Sequence, residues 1–138
     1  MYNATKNMIE ENAYALVRYY NEDTIQSIIE RMHKEVQNIF FHSFDENVKK
    51  IQGLENEIDS YIEELDDIAR ICGKADELTE EEATAEEVED FLNIAEEALE
   101  KSHLLIKVNE QLYQIEKSIV AYYEAIEELD YLAEEGRA

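Results

Sequence analysis

The chain has 138 residues and sets 35 Asp and Glu against 12 Lys and Arg, a formal net charge of −23 that repels nucleic acid and anionic lipid as direct partners. Its apolar fraction of 45% excludes a disordered acidic tail, and its single cysteine, Cys72, excludes an intrachain disulfide. With no proline and glycine only at 53, 73 and 136, the expected class is all-α, one domain over 1–138, in a reducing cytoplasm.

The N-terminus, Met1 to Asn7, has no apolar core of the kind that targets a chain for export. The sequon Asn3-Ala4-Thr5 therefore reads as chance. Met8, Ile9, Ala13, Leu16, Val17 and Tyr20 mark a short first helix. Asn21, followed by Glu22 and Asp23, supplies a cap and an acidic first turn, predicting a tight turn at 20–23. From Ile25 through Ile28, Ile29, Met32, Val36, Ile39 and Phe40 a helical pattern continues towards Gly73, with a break at 42–43 left open by the capping-box pair Ser43 and Glu46. His42 reads as a boundary residue.

Ile51, Leu54, Ile58, Tyr61, Leu65, Ile68 and Cys72 follow in alternating steps of 3 and 4, the mark of a coiled-coil seam. Gly73 is a natural helix stop, residues 74–83 are the main loop, and Thr79 with Glu82 or Thr84 with Glu87 can start the next helix. There Val88, Leu92, Ala95, Leu99, Ser102 and Ile106 form one run. Val108, Leu112, Ile115, Ile119, Tyr122, Ile126, Leu129 and Ala133 form another, out of phase with it, so a shift is expected near Ser102 and His103.

These patterns predict a long antiparallel helical hairpin, a coiled coil of helices over about 23–73 and 84–135, each on the order of 75 Å long. Gly53 and Leu104 fall at the same depth, where a kink is expected. A short N-terminal helix would complete a three-helix bundle at the open end. The expected sub-parts are a proximal bundle of 1–52 with 105–138, holding 11 of the 13 aromatics, and a distal acidic two-helix arm of 53–104.

The acid is concentrated. Residues 53–100 carry 19 carboxylates against Arg70 and Lys74, a local charge of −17, whereas residues 1–52 sum to −2 and residues 101–138 to −4. Adaptation to strong salt would spread acid over the entire surface. The candidate partner-binding residues are Glu55, Glu57, Asp59, Glu63, Glu64, Asp66 and Asp67 on one helix, and Glu80, Glu81, Glu82, Glu86, Glu87, Glu89, Asp90, Glu96, Glu97 and Glu100 across the loop and down the next. Carboxylates three or four apart on a helix lie roughly 5–6 Å from one another, comparable to phosphates along one strand, so a stiff acidic rod can occupy a groove built for a polynucleotide. The bland alternative is a solvated surface with no partner for its charge.

In carboxylate density over the seam Leu54-Ile58-Tyr61-Leu65, residues 53–100 resemble the acidic helical DNA mimics that phages use against restriction, CRISPR and other host defence nucleases. The likeness is one of composition and shape, and no family residues carry over. It implies a non-enzymatic inhibitor that blocks the DNA- or RNA-binding groove of a basic protein, in the host cytoplasm if the chain is phage-encoded. The alternative is a structural or adaptor coiled coil that binds a partner helix or a second copy of itself as a homodimer.

Motifs that resemble enzyme signatures are few. Glu30-x-x-His33 and Glu100-x-x-His103, with Glu11 and Glu57, resemble the ligand set of di-iron bundles. Glu64-x-x-Asp67 and Glu87-x-x-Asp90 resemble the magnesium motifs of helical nucleotide pyrophosphohydrolases, without the Lys or Arg cluster a triphosphate needs. The segment from Asp76 to Glu87 has the length of a calcium loop but puts Leu78 at a ligand position and Glu81 in place of the required glycine. Tyr131-x-x-x-Glu135 resembles a helical secretion signal. No catalytic residue, metal site or cofactor is expected.

Overall fold

The computed structural model describes residues 4–39 and 43–137; the expectations for Asn3, Phe40, Phe41 and His42 lie outside them. Four helices form an all-helical bundle: α1 Ala4–Tyr19, α2 Glu22–Asn38, α3 Phe44–Cys72 and α4 Ala85–Arg137. Among the described residues there is no strand.

Local chemistry sets most boundaries. The Asn21 side chain accepts from the Thr24 amide at 2.9 Å and starts α2, with Glu22 and Asp23 favoured by the helix dipole. Ser43 accepts from the Glu46 amide at 3.4 Å and starts α3. Thr84 and Glu87 exchange bonds of 3.2 and 3.1 Å as a full capping box at the head of α4. The Thr79–Glu82 pair forms too, but closes only a turn in the connection. Gly73 stays right-handed at φ −63° and the chain tightens into a 3-10 turn, Gly73–Glu77, instead of reversing through a left-handed residue.

The packing differs from the hairpin expectation in three respects. First, α2 ends at Asn38 and α3 begins at Phe44 behind the Ser43 cap, the alternative that the Ser43–Glu46 pair left open, so α2 and α3 are separate and antiparallel: Arg31 on α2 meets Glu57 on α3. Second, α1 does not sit at the open end. Lys6 reaches Glu87 and Ile9 lies on Cys72, so α1 covers the loop end, with α2 continuing in the same direction along the bundle. The division into a proximal three-helix bundle and a distal two-helix arm therefore does not hold. Tyr20 contacts Tyr61 edge-on, with ring centroids 6.2 Å apart, which places N-terminal aromatics against the acidic segment as well. Third, α3 runs as continuous helix through Gly53 and α4 through Ser102, so neither helix is interrupted at the depth where a kink was expected.

The reason for the third difference lies in which residues of α4 are buried. Ala95, Ala98, Ser102, Leu105, Leu112 and Ile119 form its inner face, with Asn109 and Glu116 half-buried in the same row. That row keeps steps of three and four from Phe91 to Ile119 without a shift. Leu92, Leu99 and Ile106, read as seam from the sequence, are exposed. Small and polar residues at inner positions hide the true period from a count of hydrophobics. On α3 the expected seam is the inner face, fully buried except for the half-buried Tyr61.

The main core joins Ile9, Leu16, Ile25, Ile28 and Met32 to Leu54, Ile58, Leu65, Ile68 and Cys72 and to Ala95, Ala98, Leu105 and Leu112. A smaller cluster of Ile39, Ile51 and Ile119 closes the other end. Beyond it, from about Glu124, α4 is exposed along nearly its whole length among the described residues.

Candidate functional site

All seventeen candidate carboxylates lie on α3, on α4 or on the connection between them, and α1 adds no net charge to that end, since Lys6 and Arg18 offset Glu10 and Glu11. Glu55, Glu57, Glu82 and Glu87 are half-buried; the other thirteen are exposed. The bundle therefore spreads the acid over the outward faces of α3 and α4, while α1 and α2 cover the remaining side.

Several candidates are held by neighbours. Glu57 takes a two-pronged pair from Arg31, with Nη1 to Oε2 at 3.1 Å, and accepts from the Tyr61 hydroxyl at 2.8 Å. The Arg31 guanidinium holds its carboxyl below the usual range. Glu87 is lowered by the Thr84 amide first and by Lys6, 3.1 Å away, next. Asp67 meets Arg70 at 3.3 Å, and Glu97 meets Lys101 at 2.9 Å. Glu63, Glu64, Glu80, Glu81, Glu86, Glu89, Asp90, Glu96 and Glu100 stand exposed on the outer faces. Part of this acid has a local use, because Glu86 and Glu87 sit in the first turn of α4, where the helix dipole favours them.

Between α3 and α4 runs a ladder of polar contacts. Ser102, fully buried, donates to Asp66 at 2.6 Å, and Asn109 donates to Asp59 at 2.7 Å. At the next level Glu116 faces Glu55. Desolvation first, then the charges of Glu116 and Asp59, push the Glu55 carboxyl up. Ser102, Asn109 and Glu116 follow one another at seven-residue intervals on the inner row of α4. The Ser102–Asp66 and Asn109–Asp59 bonds favour this register, because a slip would break both, whereas at the third level Glu55 and Glu116 each keep a buried oxygen without a hydrogen-bond partner among the described residues. The sequence signal for this ladder is the heptad spacing of polar residues, which a search for apolar periods passes over.

Sequence reasoning also missed a groove at the joint of α1 and α2. It measures about 660 Å³ and is lined by Tyr19, Tyr20, Tyr61, Ile68 and Ile71, with Glu64 and Asp67 on the same wall. An apolar, tyrosine-rich floor beside carboxylates suits the stem and head of a Lys or Arg side chain.

The residues of the metal-like motifs are not brought together. His33 and His103 are exposed, as are Asp67 and Asp90, and among the described residues no group of three or more His, Cys, Asp or Glu is placed to hold a metal ion. Cys72 is buried, and desolvation pushes its thiol up to about 11.

Fold and surface thus define an all-helical bundle with a predominantly acidic surface on α3, α4 and their connection, and among the described residues no helix is long and apolar enough to cross a membrane. The chain matches no family model, no curated protein and no solved structure.

Proposed function

We propose that this chain is a non-enzymatic binding protein of the cytoplasm whose acidic end imitates a polynucleotide and blocks the nucleic-acid groove of a basic protein, such as a defence nuclease. The observation that supports this reading is the exposure of Glu63, Glu64, Glu86, Glu89, Asp90, Glu96 and Glu100 on helices held by a packed core, with Glu80 and Glu81 exposed on the turn that joins them. Charges fixed on such a scaffold, the long coiled-coil pair of α3 and α4 in this reading, lose little conformational freedom on binding. Their field also steers a cationic partner inward at a rate that falls with ionic strength.

The test is displacement of a labelled DNA duplex from a panel of restriction and RNA-guided nucleases. Displacement should weaken steeply with salt. It should vanish when Glu63, Glu64, Asp66, Asp67, Glu86, Glu87, Glu89 and Asp90 are replaced by Lys. No displacement from any member, or displacement untouched by the charge reversal, sinks the proposal.

A second reading, an adaptor that pairs through a helix of its own, draws on the end of α4. There Tyr122, Leu129 and Leu132 remain at least half exposed among the described residues. Sedimentation over a range of concentrations decides it: self-association lost in Leu129→Asp supports pairing through this end, and a monomer throughout removes it.

A further inference from the structure

We propose that the groove between α3 and α4, on the side of the bundle away from α1 and α2, is the docking site for an amphipathic helix of a partner protein that carries Lys and Arg along its edges. Leu92, Leu99, Ile106 and Tyr113 recur at every seventh residue of α4 and remain 37, 43, 37 and 50% exposed. Heptad spacing puts them in a single row along the helix. That row does not face α1 and α2, which meet α4 through Glu87, Lys101 and Leu104 instead. Across the groove, the half-buried Ile62 of α3 extends the floor, and a cavity of about 350 Å³ is shared by Ile62, Ile106 and Tyr113.

Both rims are predominantly acidic, with His103 and Lys107 among the carboxylates of α4, Lys117 Nζ 4.9 Å from the Tyr113 ring centroid at one end, and Asp59 and Asp66 also accepting from Asn109 and Ser102. Glu89, Glu96 and Glu110 lie three or four residues from the apolar row on α4, and Asp59, Glu63 and Asp66 line α3. A surface kept only for solubility has no use for large apolar side chains at this interval, and a surface that copies phosphates has none either. An apolar row between two acidic rims matches a helix whose own row is apolar and whose flanking positions are cationic.

The length agrees: Leu92 to Tyr113 spans roughly 32 Å at 1.5 Å per residue, which a partner helix of about 20 residues covers. Charge selects among occupants. A second copy would bring another −23 against these rims, whereas a cationic helix is drawn to them. The inference rests on the reading that the partner is basic, and adds that part of its contact is a helix gripped through apolar side chains.

The probe is a labelled helical peptide of about three heptads with Leu at the seam positions and Lys at the flanks. Its control is a scrambled peptide of the same composition, and both are titrated by anisotropy into the full chain near physiological salt. The amphipathic peptide should bind about tenfold tighter than the scrambled one, and the double variant Leu99→Gln with Ile106→Gln should abolish most of that preference. Both residues are exposed, so helix content should persist. Should circular dichroism show loss of fold, Tyr113→Gln alone provides the same comparison. Equal binding of the two peptides, binding of neither, or a preference that survives the variants overturns the proposal. DNA displacement from nucleases is read separately, so charge mimicry can stand where the helix site fails.

Discussion

The thiol of Cys72 donates to the carbonyl oxygen of Ile9 at 3.7 Å, joining positions 63 residues apart and fixing α1 against the loop end of the bundle. Ile9 is completely buried there, so Ile9→Ala removes core volume that only this placement of α1 explains. A loss of about 2–4 kcal/mol is expected in denaturant unfolding. The same contact gives a second readout: with its thiol pushed up to about 11, Cys72 should react with a thiol reagent at mild pH only through opening. The Ile9→Ala protein should therefore label faster. An unchanged stability and labelling rate would mean that α1 does not cover this end.

Arg31 links α2 to α3 through Glu57, whose folded-state pKa lies below its ordinary value of 4.5. A depressed carboxylate stabilises the fold above its unfolded pKa, and that contribution is lost as pH falls through the lower, folded value. Both side chains are more than a third exposed, so solvent screening limits the expected loss in Arg31→Met to about 1 kcal/mol at neutral pH. Urea melts at neutral and strongly acidic pH should show the difference between variant and parent shrinking in acid.

Glu55 titrates with the opposite sign. Its folded-state pKa is raised by desolvation and by Glu116 and Asp59, so its ionised form opposes folding at neutral pH. Glu55→Gln should raise the melting temperature at pH 7, with the gain fading once the parent carboxyl is protonated in both folded and unfolded chains. A drop in melting temperature at pH 7 would show that the charge is stabilised by groups other than those facing it.

Gly53 lies inside α3, exposed, with nothing within 4 Å of where a Cβ would stand. Because glycine loses more backbone freedom than alanine when a helix forms, Gly53→Ala should stabilise the fold by about 1 kcal/mol, a rise of roughly 3–5 °C in Tm. Destabilisation would indicate a bend at this point.

Much of the local structure was legible in the residues. The α3 seam, the caps at Asn21, Ser43 and Thr84, and the concentration of acid between Gly53 and Glu100 are short-range patterns of side-chain type, and helical periodicity converts them directly into faces and ends. The misreadings arose where the pattern was ambiguous. On α4 two apolar rows lie close together, and the expected run of Val88, Leu92, Ala95, Leu99, Ser102 and Ile106 mixed them: Ala95 and Ser102 are buried, whereas Leu92, Leu99 and Ile106 are exposed. The row that is buried, Ala95, Ala98, Ser102 and Leu105, includes residues small enough to fit against α3. The tyrosine groove beside Glu64 and Asp67 had no sequence signature, since it forms only where α1 gives way to α2 against α3.

The amino-acid order by itself determined that this protein is helical, where most helices begin, and that one stretch of it is overwhelmingly anionic, because these follow from propensity, capping and charge within a few residues. Tertiary structure alone decided which side of that stretch is covered by α1 and α2, which carboxylates Arg31, Lys6, Ser102 and Asn109 engage, and which leucines stay in water. Those outcomes depend on how helices distant in sequence divide a shared apolar surface, and no local pattern encodes that division.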